Sequence, residues 1–279
     1  MVCLMDRILV TGSSGFIGKQ VVKKLSQSQI ITDSDDGKID LQIREQVMKI
    51  DSADIVIHLG GKTPHEEVNW YEYFKNNTSS TLNVLEYCMK NKVKKMIYVS
   101  SYVYGNPKYC PIDEKHSVNP HNAYTESKYF GERLCQFYCS RTDLNVTILR
   151  PFNIFGKSMR EGFLITNLFN AAKTGKNINI VNKDSKRDFL HVDDFVDLIL
   201  KIKDNDFKFE VFNVGSGISY SFEDIIKKIE TITAKKLNIN YVNDKKNFIA
   251  DIRADISKIK SKTDLIPKIK FNEGLSKMQ

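Results

Sequence analysis

The sequence predicts an α/β fold, a doubly wound parallel sheet with a smaller C-terminal α/β lobe. Short apolar runs typical of buried strands alternate with segments of helical periodicity, beginning with a strand at 8–10 and a helix at 16–25. A glycine-rich turn joins this first strand to this first helix. Regular alternation of this kind indicates parallel strands joined by right-handed helical crossovers.

The first turn has the sequence TGSSGFIG at 11–18 and predicts a Rossmann-type dinucleotide site. Its first glycine allows a tight turn, the second lets the backbone approach a pyrophosphate, and the third lets the helix pack closely on the strand. The helix that follows would direct its unpaired N–H groups at the phosphates. The candidate cofactor-binding residues of this turn are Gly12, Gly15, Phe16, Ile17 and Gly18.

A short second strand at 29–33 ends in an acid. In a dinucleotide fold, an acid about 20 residues past the glycines accepts hydrogen bonds from the adenosine ribose. Asp33 is the best candidate, with Asp35 and Asp36 close beside it. Lys38 is the only nearby cation and no Arg follows closely, which favours NAD and leaves NADP open. The alternative is that these acids simply form a turn.

Two later stretches are expected to complete the cofactor site. The pair Asp40-Leu41 either meets the adenine ring or caps a helix near 44–50. A strand at 54–59 ends in small residues that bring the backbone within reach of a cofactor. The candidates at this strand end are Leu59, Gly60 and Gly61. His58 lies inside the same apolar run and is interpreted as a core histidine with satisfied hydrogen bonds.

Candidate catalytic residues follow further along the chain. A strand at 96–99 delivers Ser100 and Ser101 at its carboxyl end, and a helix from Tyr124 places Lys128 one turn later on the same face. A free tyrosine, with a pKa of about 10, is a poor base, but a neighbouring ammonium favours the phenolate. A serine hydroxyl could hydrogen-bond the substrate oxygen that exchanges a proton. The alternative is an incidental Tyr and Lys on a surface helix.

Composition narrows the classes of partner. The net charge is +8, but the lysines are scattered at apparent helix ends and in turns, so we expect no nucleic-acid partner. No apolar run approaches a membrane span and the first seven residues are too short for a signal peptide, which predicts a cytoplasmic protein. The five cysteines suggest reduced thiols, and Cys135 and Cys139 are expected to pack in a helix rather than to bind a metal.

Motifs in a characteristic order extend from residue 7 to about residue 275. They are TGSSGFIG at 11–18, Asp40-Leu41, IHLGG at 57–61, NTSSTLNVLE at 77–86, SSYVYG at 100–105, YTESK at 124–128, RPFNIFG at 150–156, RDFLHVDD at 187–194, FNVGSG at 212–217 and ADISK at 254–258. With these motifs the chain resembles the extended short-chain dehydrogenase/reductases, in the NAD-dependent epimerase/dehydratase family that acts on nucleotide sugars.

The resemblance implies a role for each catalytic candidate. Tyr124 would be the general base, and Lys128 would hold the nicotinamide ribose while tuning that tyrosine. Ser100 matches the family's catalytic Ser or Thr, which lies four residues before the tyrosine of the V-Y-G motif. Asn77 matches a cofactor-side asparagine, and Pro151 opens the segment beside nicotinamide and substrate.

The resemblance also implies which residues bind the substrate. Arg187 matches an arginine that grips the nucleotide's phosphates, with a surface salt bridge as the alternative. Asn167 could touch the sugar or base, or be an ordinary polar position on a helix. The substrate-binding candidates are Ser100, Ser101, Tyr124, Asn153, Asn167 and Arg187.

The type of reaction is argued by analogy with the family. Family dehydratases place an Asp-Glu pair directly after the catalytic residue, where this chain has Ser101 and Tyr102, so we exclude dehydration. We predict an NAD-dependent nucleotide-sugar epimerase, similar to UDP-glucose/galactose 4-epimerases, with reversible hydride transfer at a sugar carbon. The alternative is an NAD(P)H-dependent reductase of a nucleotide-linked 4-keto-6-deoxy sugar, favoured by the short path from the second strand to Asp40-Leu41. A non-catalytic nucleotide- or RNA-binding protein is disfavoured because the catalytic Ser, Tyr and Lys are present.

The pattern of elements changes after residue 157, which predicts two domains. We expect 1–156 to form the dinucleotide-binding domain, with 187–214 returning to it. The segments 157–186 and 215–279 would form the substrate-binding lobe.

Two long helices, near 78–91 and 124–140, are expected to carry the contacts of a homodimer. By the family pattern they would pair with the same helices of a second copy in a four-helix bundle. In the first helix we expect four residues to face inward: Leu82, Val84, Leu85 and Cys88. Three aromatic residues of the two helices look exposed: Tyr87, Tyr129 and Phe137.

Overall fold

The computed structural model describes residues 6–25, 30–33, 39–64, 69–246 and 248–279. Its strands are β1 (Ile8–Thr11), β2 (Ile30–Thr32), β3 (Ile55–His58), β4 (Lys95–Val99), β5 (Asn145–Pro151), β6 (Asn153–Phe155), β7 (Ile178–Val181), β8 (Lys186–His191), β9 (Phe209–Val214), β10 (Ser219–Ser221), β11 (Ile239–Val242) and β12 (Asp251–Ile252). Its helices are α1 (Phe16–Lys24), α2 (Arg44–Val47), α3 (Trp70–Tyr73), α4 (Ser80–Lys90), α5 (Ala123–Arg141), α6 (Leu164–Thr174), α7 (Val192–Lys203), α8 (Phe222–Thr233), α9 (Ser257–Thr263) and α10 (Phe271–Ser276). A π-helical segment, Phe74–Ser79, lies between α3 and α4.

The central sheet has six strands in the order β2-β1-β3-β4-β5-β9, and the fold class predicted from the sequence is confirmed. Strands β1 to β5 run parallel. The inner strands are buried at every position except Asn145, because parallel sheets are covered on both faces, and Leu9, Val56 and Met96 have no exposed surface. The strand order reverses between β1 and β3. In doubly wound sheets ligands bind at this point, outside the carboxyl ends of the strands.

The chain divides into two units whose limits differ from the expected domains. The first contains the described residues of Met1–Gly105, Ser117–Pro151 and Val196–Phe212, and the second contains Asn106–His116, Phe152–Phe195 and Asn213–Gln279. The segment from 187 does not return directly to the first unit, because β8 pairs with β6, β10 and β12 in the second. An apolar run predicts a strand but does not identify the strand beside it.

Helix α4 buries Val84, Leu85 and Cys88 as expected, but two other positions differ from the expectation. Tyr87 has no exposed surface, and its hydroxyl donates a hydrogen bond to the Asp51 carbonyl at 2.6 Å. Leu82, by contrast, is 39% exposed. The prediction that Leu82 faces inward and Tyr87 outward was therefore wrong. A phenol can be buried when its hydroxyl finds an acceptor, and that acceptor lies 36 residues away in sequence.

The π-helical segment was not predicted either. A helix was expected near 78–91, whereas helical structure begins at Trp70 and passes through the π segment into α4. Such segments are frequent at functional sites because the inserted residue redirects one side chain. Here the segment carries Asn77.

The second unit has its own hydrophobic core, to which α6, α8 and α10 contribute. Helix α6 ends at Gly175, which adopts a left-handed φ of 72°, as the sequence predicts for a helix C-cap. Strand β7 pairs in parallel with β11. Among the described residues, no helix combines the length and the apolarity needed to cross a membrane.

Candidate active site

The glycine turn presents the N-terminus of α1. Gly12 follows β1 with a φ of +68°, and its carbonyl accepts a hydrogen bond from the Gly15 amide at 3.0 Å. A Cβ on Gly18 would collide with the Gly12 carbonyl, so the helix can approach the turn only with glycine here. Gly15 is the N-cap of this nine-residue helix, and half-buried Phe16 and Ile17 begin it. The arrangement suits a phosphate group.

Asp33 holds the turn from the neighbouring strand. Its carboxylate accepts hydrogen bonds from the Gly12 amide at 2.6 Å, from the Ser13 amide at 3.2 Å and from the Ser13 hydroxyl at 2.6 Å. The acid thus lies beside the glycine turn and orders it, and its contact with a ribose stays a prediction. Three residues weighed with it lie outside the described residues: Asp35, Asp36 and Lys38.

The loop after β3 meets the glycine turn. The Leu59 amide donates to the last carbonyl of β1 at 3.2 Å. A Cβ on Gly60 would lie 2.5 Å from Leu41 Cδ1, and a Cβ on Gly61 would lie 2.7 Å from Asn77 Oδ1. Side chains are thus excluded along this edge, which leaves bare backbone as a cradle. The glycines, the helix terminus and the acid together fit a dinucleotide such as NAD.

Asp40 makes its described contacts locally. Its carboxylate accepts a hydrogen bond from the Gln42 amide at 2.9 Å, and its carbonyl accepts one from the Ile43 amide at 2.9 Å. These bonds form the turn that leads into α2, so the placement favours the cap over the adenine contact for Asp40. Leu41 is 8% exposed and borders Gly60.

Asn77 is fully buried in the π-helical segment and held from two sides. Its side chain accepts from the Lys62 amide at 2.7 Å and donates to the Lys62 carbonyl at 3.1 Å. It also donates to the Ser127 hydroxyl at 2.9 Å. Asn77 therefore ties the loop after β3 to helix α5.

His58 is a satisfied core histidine, as predicted. Thr81 donates its hydroxyl proton to the Asn77 carbonyl, so it accepts from His58 Nε2 at 3.1 Å. His58 Nδ1 then accepts from the Thr11 hydroxyl at 2.6 Å, while Thr11 accepts from the Gly60 amide. Burial lowers the pKa of His58 to about 3, with the Lys128 charge adding to the effect, so the ring stays neutral.

Helix α5 places Tyr124 and Lys128 one turn apart, as their spacing predicts. A capping box fixes the start of the helix: the Asn122 side chain accepts from the Thr125 amide, and the Thr125 hydroxyl accepts from the Asn122 amide. Tyr124 is half-buried, and its ring meets that of Tyr73 edge-on, with 5.8 Å between centroids.

Lys128 is buried, with 5% of its surface exposed. Its Nζ lies 4.5 Å from the centroid of the Tyr98 ring. Burial lowers the pKa of Lys128 to about 8, although the nearby Cys135 and Glu132 oppose that shift. At neutral pH the ammonium is still charged, one helical turn from the candidate base.

Ser100 follows β4 and is 3% exposed. Its hydroxyl donates to Glu132 Oε1 at 2.6 Å, and Glu132 pairs with Arg150. Ser101, the next residue, is half-buried. Sequence reasoning missed Glu132 and Arg150 as members of this site. The one available signal was spacing, because Glu132 lies four residues after Lys128 and continues the same helix face.

The second unit contains a cavity of about 230 Å³. Arg187, Asn153, Phe189 and Phe222 are among its lining residues. The Arg187 guanidinium lies 5.3 Å from the Phe222 ring centroid and donates to the Lys186 carbonyl at 2.8 Å. Apolar walls with one guanidinium can accept a ring together with an anionic group.

Two further candidates lie away from that lining. Asn167 accepts a hydrogen bond from the Gly162 amide at 3.1 Å, which favours the ordinary polar position over a substrate contact. Pro151 is buried at the end of β5, in the first unit. The structure thus brings the cofactor candidates together around β1 and β3, and two of the substrate candidates around the cavity.

Comparison with known proteins agrees with this geometry. The model of the NAD dependent epimerase/dehydratase family matches residues 8–215. GDP-6-deoxy-D-talose 4-dehydrogenase of Aggregatibacter actinomycetemcomitans is 29% identical, over 84% of this chain and 82% of that protein.

Two solved structures are similar over nearly the whole chain. UDP-glucose 4-epimerase from Thermotoga maritima, solved with UDP-glucose, has a TM-score of 0.88 and 26% identity, covering 98% of this chain and 97% of that one. RMD from Pseudomonas aeruginosa, complexed with NADPH, has the same TM-score, identity and coverage. The chain therefore belongs to the NAD-dependent epimerase/dehydratase family of extended short-chain dehydrogenase/reductases, and the NAD cofactor predicted from the glycine turn is confirmed.

Proposed function

We propose that this protein is an NAD-dependent nucleotide-sugar epimerase, similar to UDP-glucose 4-epimerases, which inverts a sugar carbon by reversible hydride transfer. The observation that carries the proposal is the buried ammonium of Lys128, one helical turn from Tyr124 on α5. A charge held there favours the phenolate of the neighbouring tyrosine. When bound, NAD supplies the reversible hydride exchange.

Each candidate residue has one task in this proposal. Tyr124 removes the proton of the sugar hydroxyl at the carbon to be inverted and returns it after the keto-sugar has turned over. Lys128 keeps that phenol acidic and holds the nicotinamide ribose. Ser100 hydrogen-bonds the sugar beside the reacting carbon. Arg187, at the cavity of the second unit, binds the diphosphate of the nucleotide, with Asn153 beside it.

The residues after Ser100 distinguish the candidate reactions. Ser101 and Tyr102 stand where an elimination would need an acid and a base, so dehydration is not proposed. The second candidate is an NAD(P)H-dependent reductase of a nucleotide-linked 4-keto-6-deoxy sugar. It is favoured by the short path from β2 to Asp40-Leu41, and the similarity to the NADPH complex of RMD is consistent with it.

Incubation with UDP-glucose and with UDP-galactose tests the proposal. We expect each sugar nucleotide to be converted into a mixture of both, with no net consumption of NAD, because hydride returns to the sugar. Mass spectrometry of the purified protein should then find retained NAD. Absence of interconversion, together with NAD(P)H consumption on a 4-keto-6-deoxy sugar nucleotide, would replace the epimerase by the reductase.

Replacing Tyr124 with Phe tests the proposed base directly. We expect Tyr124→Phe to lower kcat by about 100-fold or more, because no other group takes the proton, while nucleotide binding is retained. Tyr129→Phe, on the same helix, is the matched control and should stay within about twofold of the parent. Unchanged turnover of Tyr124→Phe would remove the proposed mechanism.

Two further parts of the proposal concern assembly and location. We propose a homodimer formed by α4 and α5 of two copies, since both helices carry exposed apolar residues, among them Leu82, Met89, Phe130 and Phe137. We also propose a cytoplasmic protein. The buried thiols Cys88, Cys135 and Cys139 are all free, as a reducing compartment requires.

A further inference from the structure

A buried ionic network stands behind Ser100. Glu132, on α5, is 3% exposed, and Arg150, on β5, is 6% exposed. Arg150 Nε lies 3.0 Å from Glu132 Oε1, and Arg150 Nη2 lies 2.6 Å from Glu132 Oε2. The Ser100 hydroxyl lies 2.6 Å from the same Oε1. The carboxylate thus receives a guanidinium and a hydroxyl at once.

The direction of the hydrogen bond at Ser100 follows from this pairing. A carboxylate paired with arginine has no proton to give, so it can only accept. Ser100 has a single hydroxyl proton, and the short contact commits that proton to Glu132. The lone pairs of Ser100 Oγ are what remain for any group on its other side. Toward a ligand, Ser100 is therefore a hydrogen-bond acceptor.

Arg150 prevents Glu132 from turning away. Its remaining nitrogen, Nη1, donates to the Tyr104 hydroxyl at 2.8 Å, and Tyr104 has no exposed surface. Separating the pair would leave a charge unpaired in the interior, which is strongly unfavourable. The arrangement is consequently rigid, and it extends the α5 face on which Tyr124, Lys128 and Glu132 follow one another at intervals of four residues.

We propose that Glu132, clamped by Arg150, is a positioning residue that fixes Ser100 as a hydrogen-bond acceptor toward a sugar hydroxyl beside the reacting carbon. The proposal rests on the proposed function in one respect, namely that Ser100 meets the bound sugar. Ser100 then orients the sugar, and the single proton of the reacting hydroxyl is left for Tyr124 to remove. Ser100 does not donate to the keto-sugar. Glu132 and Arg150 themselves touch no substrate.

Replacing Glu132 with Gln tests whether Ser100 acts as an acceptor toward the ligand. The amide oxygen must face Arg150, so the amide N–H2 is directed at Ser100 and displaces the hydroxyl proton toward the ligand. We expect Glu132→Gln to lower kcat by about 10-fold or more and to leave KM within about threefold. We expect Ser100→Ala to have a similar effect. The double variant should be no slower than Ser100→Ala alone, because Glu132 acts only through Ser100.

A purely structural ion pair gives a different result. In that case the losses in kcat of Glu132→Gln and Ser100→Ala would multiply in the double variant, and the proposal would be overturned. Asp188→Asn is the matched control, because Asp188 is an equally buried carboxylate that accepts instead from Ser216, Gly217 and Ala254. Its effect on kcat should multiply with that of Ser100→Ala.

Two measures keep the result decisive. If Glu132→Gln does not fold, Glu132→Asp retains the charge for Arg150 and withdraws the carboxylate from Ser100, and the same lack of additivity is expected. The kcat values of the single and double variants are measured with whichever of the epimerase or reductase substrates the parent turns over. A failed epimerase assay therefore does not decide whether Glu132 positions Ser100. The same three variants are also compared in urea unfolding, which measures the Ser100–Glu132 hydrogen bond without any substrate. If the losses in unfolding free energy of the two single variants simply add in the double variant, the proposal is also overturned.

Discussion

At the scale of single residues, the buried ammonium of Lys128 lowers the stability of the folded protein. Its surroundings lower its pKa from 10.5 to about 8, chiefly through burial. Below pH 8 the lysine is charged in both the folded and the unfolded states, and the cost of burying that charge is present in full. Between pH 8 and 10.5 the unfolded state binds the additional proton, so the free energy of unfolding rises with pH in that window.

Lys128→Met should therefore stabilise the protein while abolishing turnover. At pH 7 we expect the free energy of unfolding to rise by up to about 3 kcal/mol, since the buried charge is removed. The gain should shrink as the pH approaches 10. Urea unfolding at pH 7 and pH 9.5 measures both values. A variant that is less stable than the parent at pH 7 would contradict this account of Lys128.

The low pKa of buried His58 predicts that acid lowers the stability of the protein. Its folded-state pKa of about 3 lies below the unfolded value of 6.5, so its contribution to stability is complete above pH 6.5 and is lost as the pH falls toward 3. We expect a loss of about 2 kcal/mol between pH 7 and pH 5 from this residue alone. His58→Gln can bond Thr11 and Thr81 without titrating, so its unfolding free energy should depend less on pH. Equal pH dependence of both proteins would refute the assignment.

At the scale of elements, the N-terminal cap of α5 sets the position of Tyr124. The capping box of Asn122 and Thr125 fixes the first turn, and Tyr124 lies within that turn. Helix α8 begins with a second capping box, formed by Ser221 and Asp224, but carries none of the candidate catalytic residues. The two helices therefore form a matched pair for separating stability from activity.

Asn122→Ala should affect both properties. Loss of the cap costs about 1 kcal/mol and lets the first turn fray, which displaces the tyrosine and lowers kcat. Ser221→Ala should cost a similar amount and leave kcat within about twofold. Any change should be confined to KM, because Phe222 at the start of α8 lines the cavity. Thermal unfolding and steady-state kinetics of the parent, the two single variants and the double variant check both expectations. Equal losses of kcat in the two variants would show that general destabilisation, not the position of Tyr124, controls turnover.

At the scale of the whole molecule, the proposed homodimer is supported by exposed apolar residues on two neighbouring helices. Leu82 and Met89 on α4 are 39% and 38% exposed, and Phe130 and Phe137 on α5 are 47% and 52% exposed. The burial of Tyr87 removes one residue that sequence reasoning assigned to this surface, and the exposure of Leu82 adds another. Exposed apolar residues on adjacent helices are typical of helix-bundle interfaces.

Phe137→Lys should convert the proposed homodimer into monomers. A lysine within the proposed apolar interface would be buried without a partner, which disfavours association by several kcal/mol. Light scattering at micromolar concentration measures the change from about twice the chain mass to the chain mass. Lys201→Glu, on α7, is a control that should remain dimeric. A parent protein that is monomeric at this concentration would contradict the dimer itself.

Local patterns were sufficient to predict much of the fold and part of the site. The turn around Gly12, the pairing of Tyr124 with Lys128, and the C-cap at Gly175 depend on residues close in sequence, so spacing and residue type reveal them. Contacts between distant segments were not predictable in this way. The acceptor for Tyr87, the pairing of β8 with the second sheet and the π-helical segment around Asn77 all depend on which segments meet in the folded chain.

The sequence by itself determined the α/β class, the dinucleotide turn and the family, because strand periodicity, glycine spacing and ordered motifs are properties of short segments. Only the tertiary structure decided how those segments act on one another. It brought Asp33, which follows β2, to the amides of the glycine turn, buried Lys128 against Tyr98, and placed Glu132 and Arg150 behind Ser100. Burial and long-range hydrogen bonding set the charge and the donor direction of a side chain, and neither can be read from its neighbours in the chain.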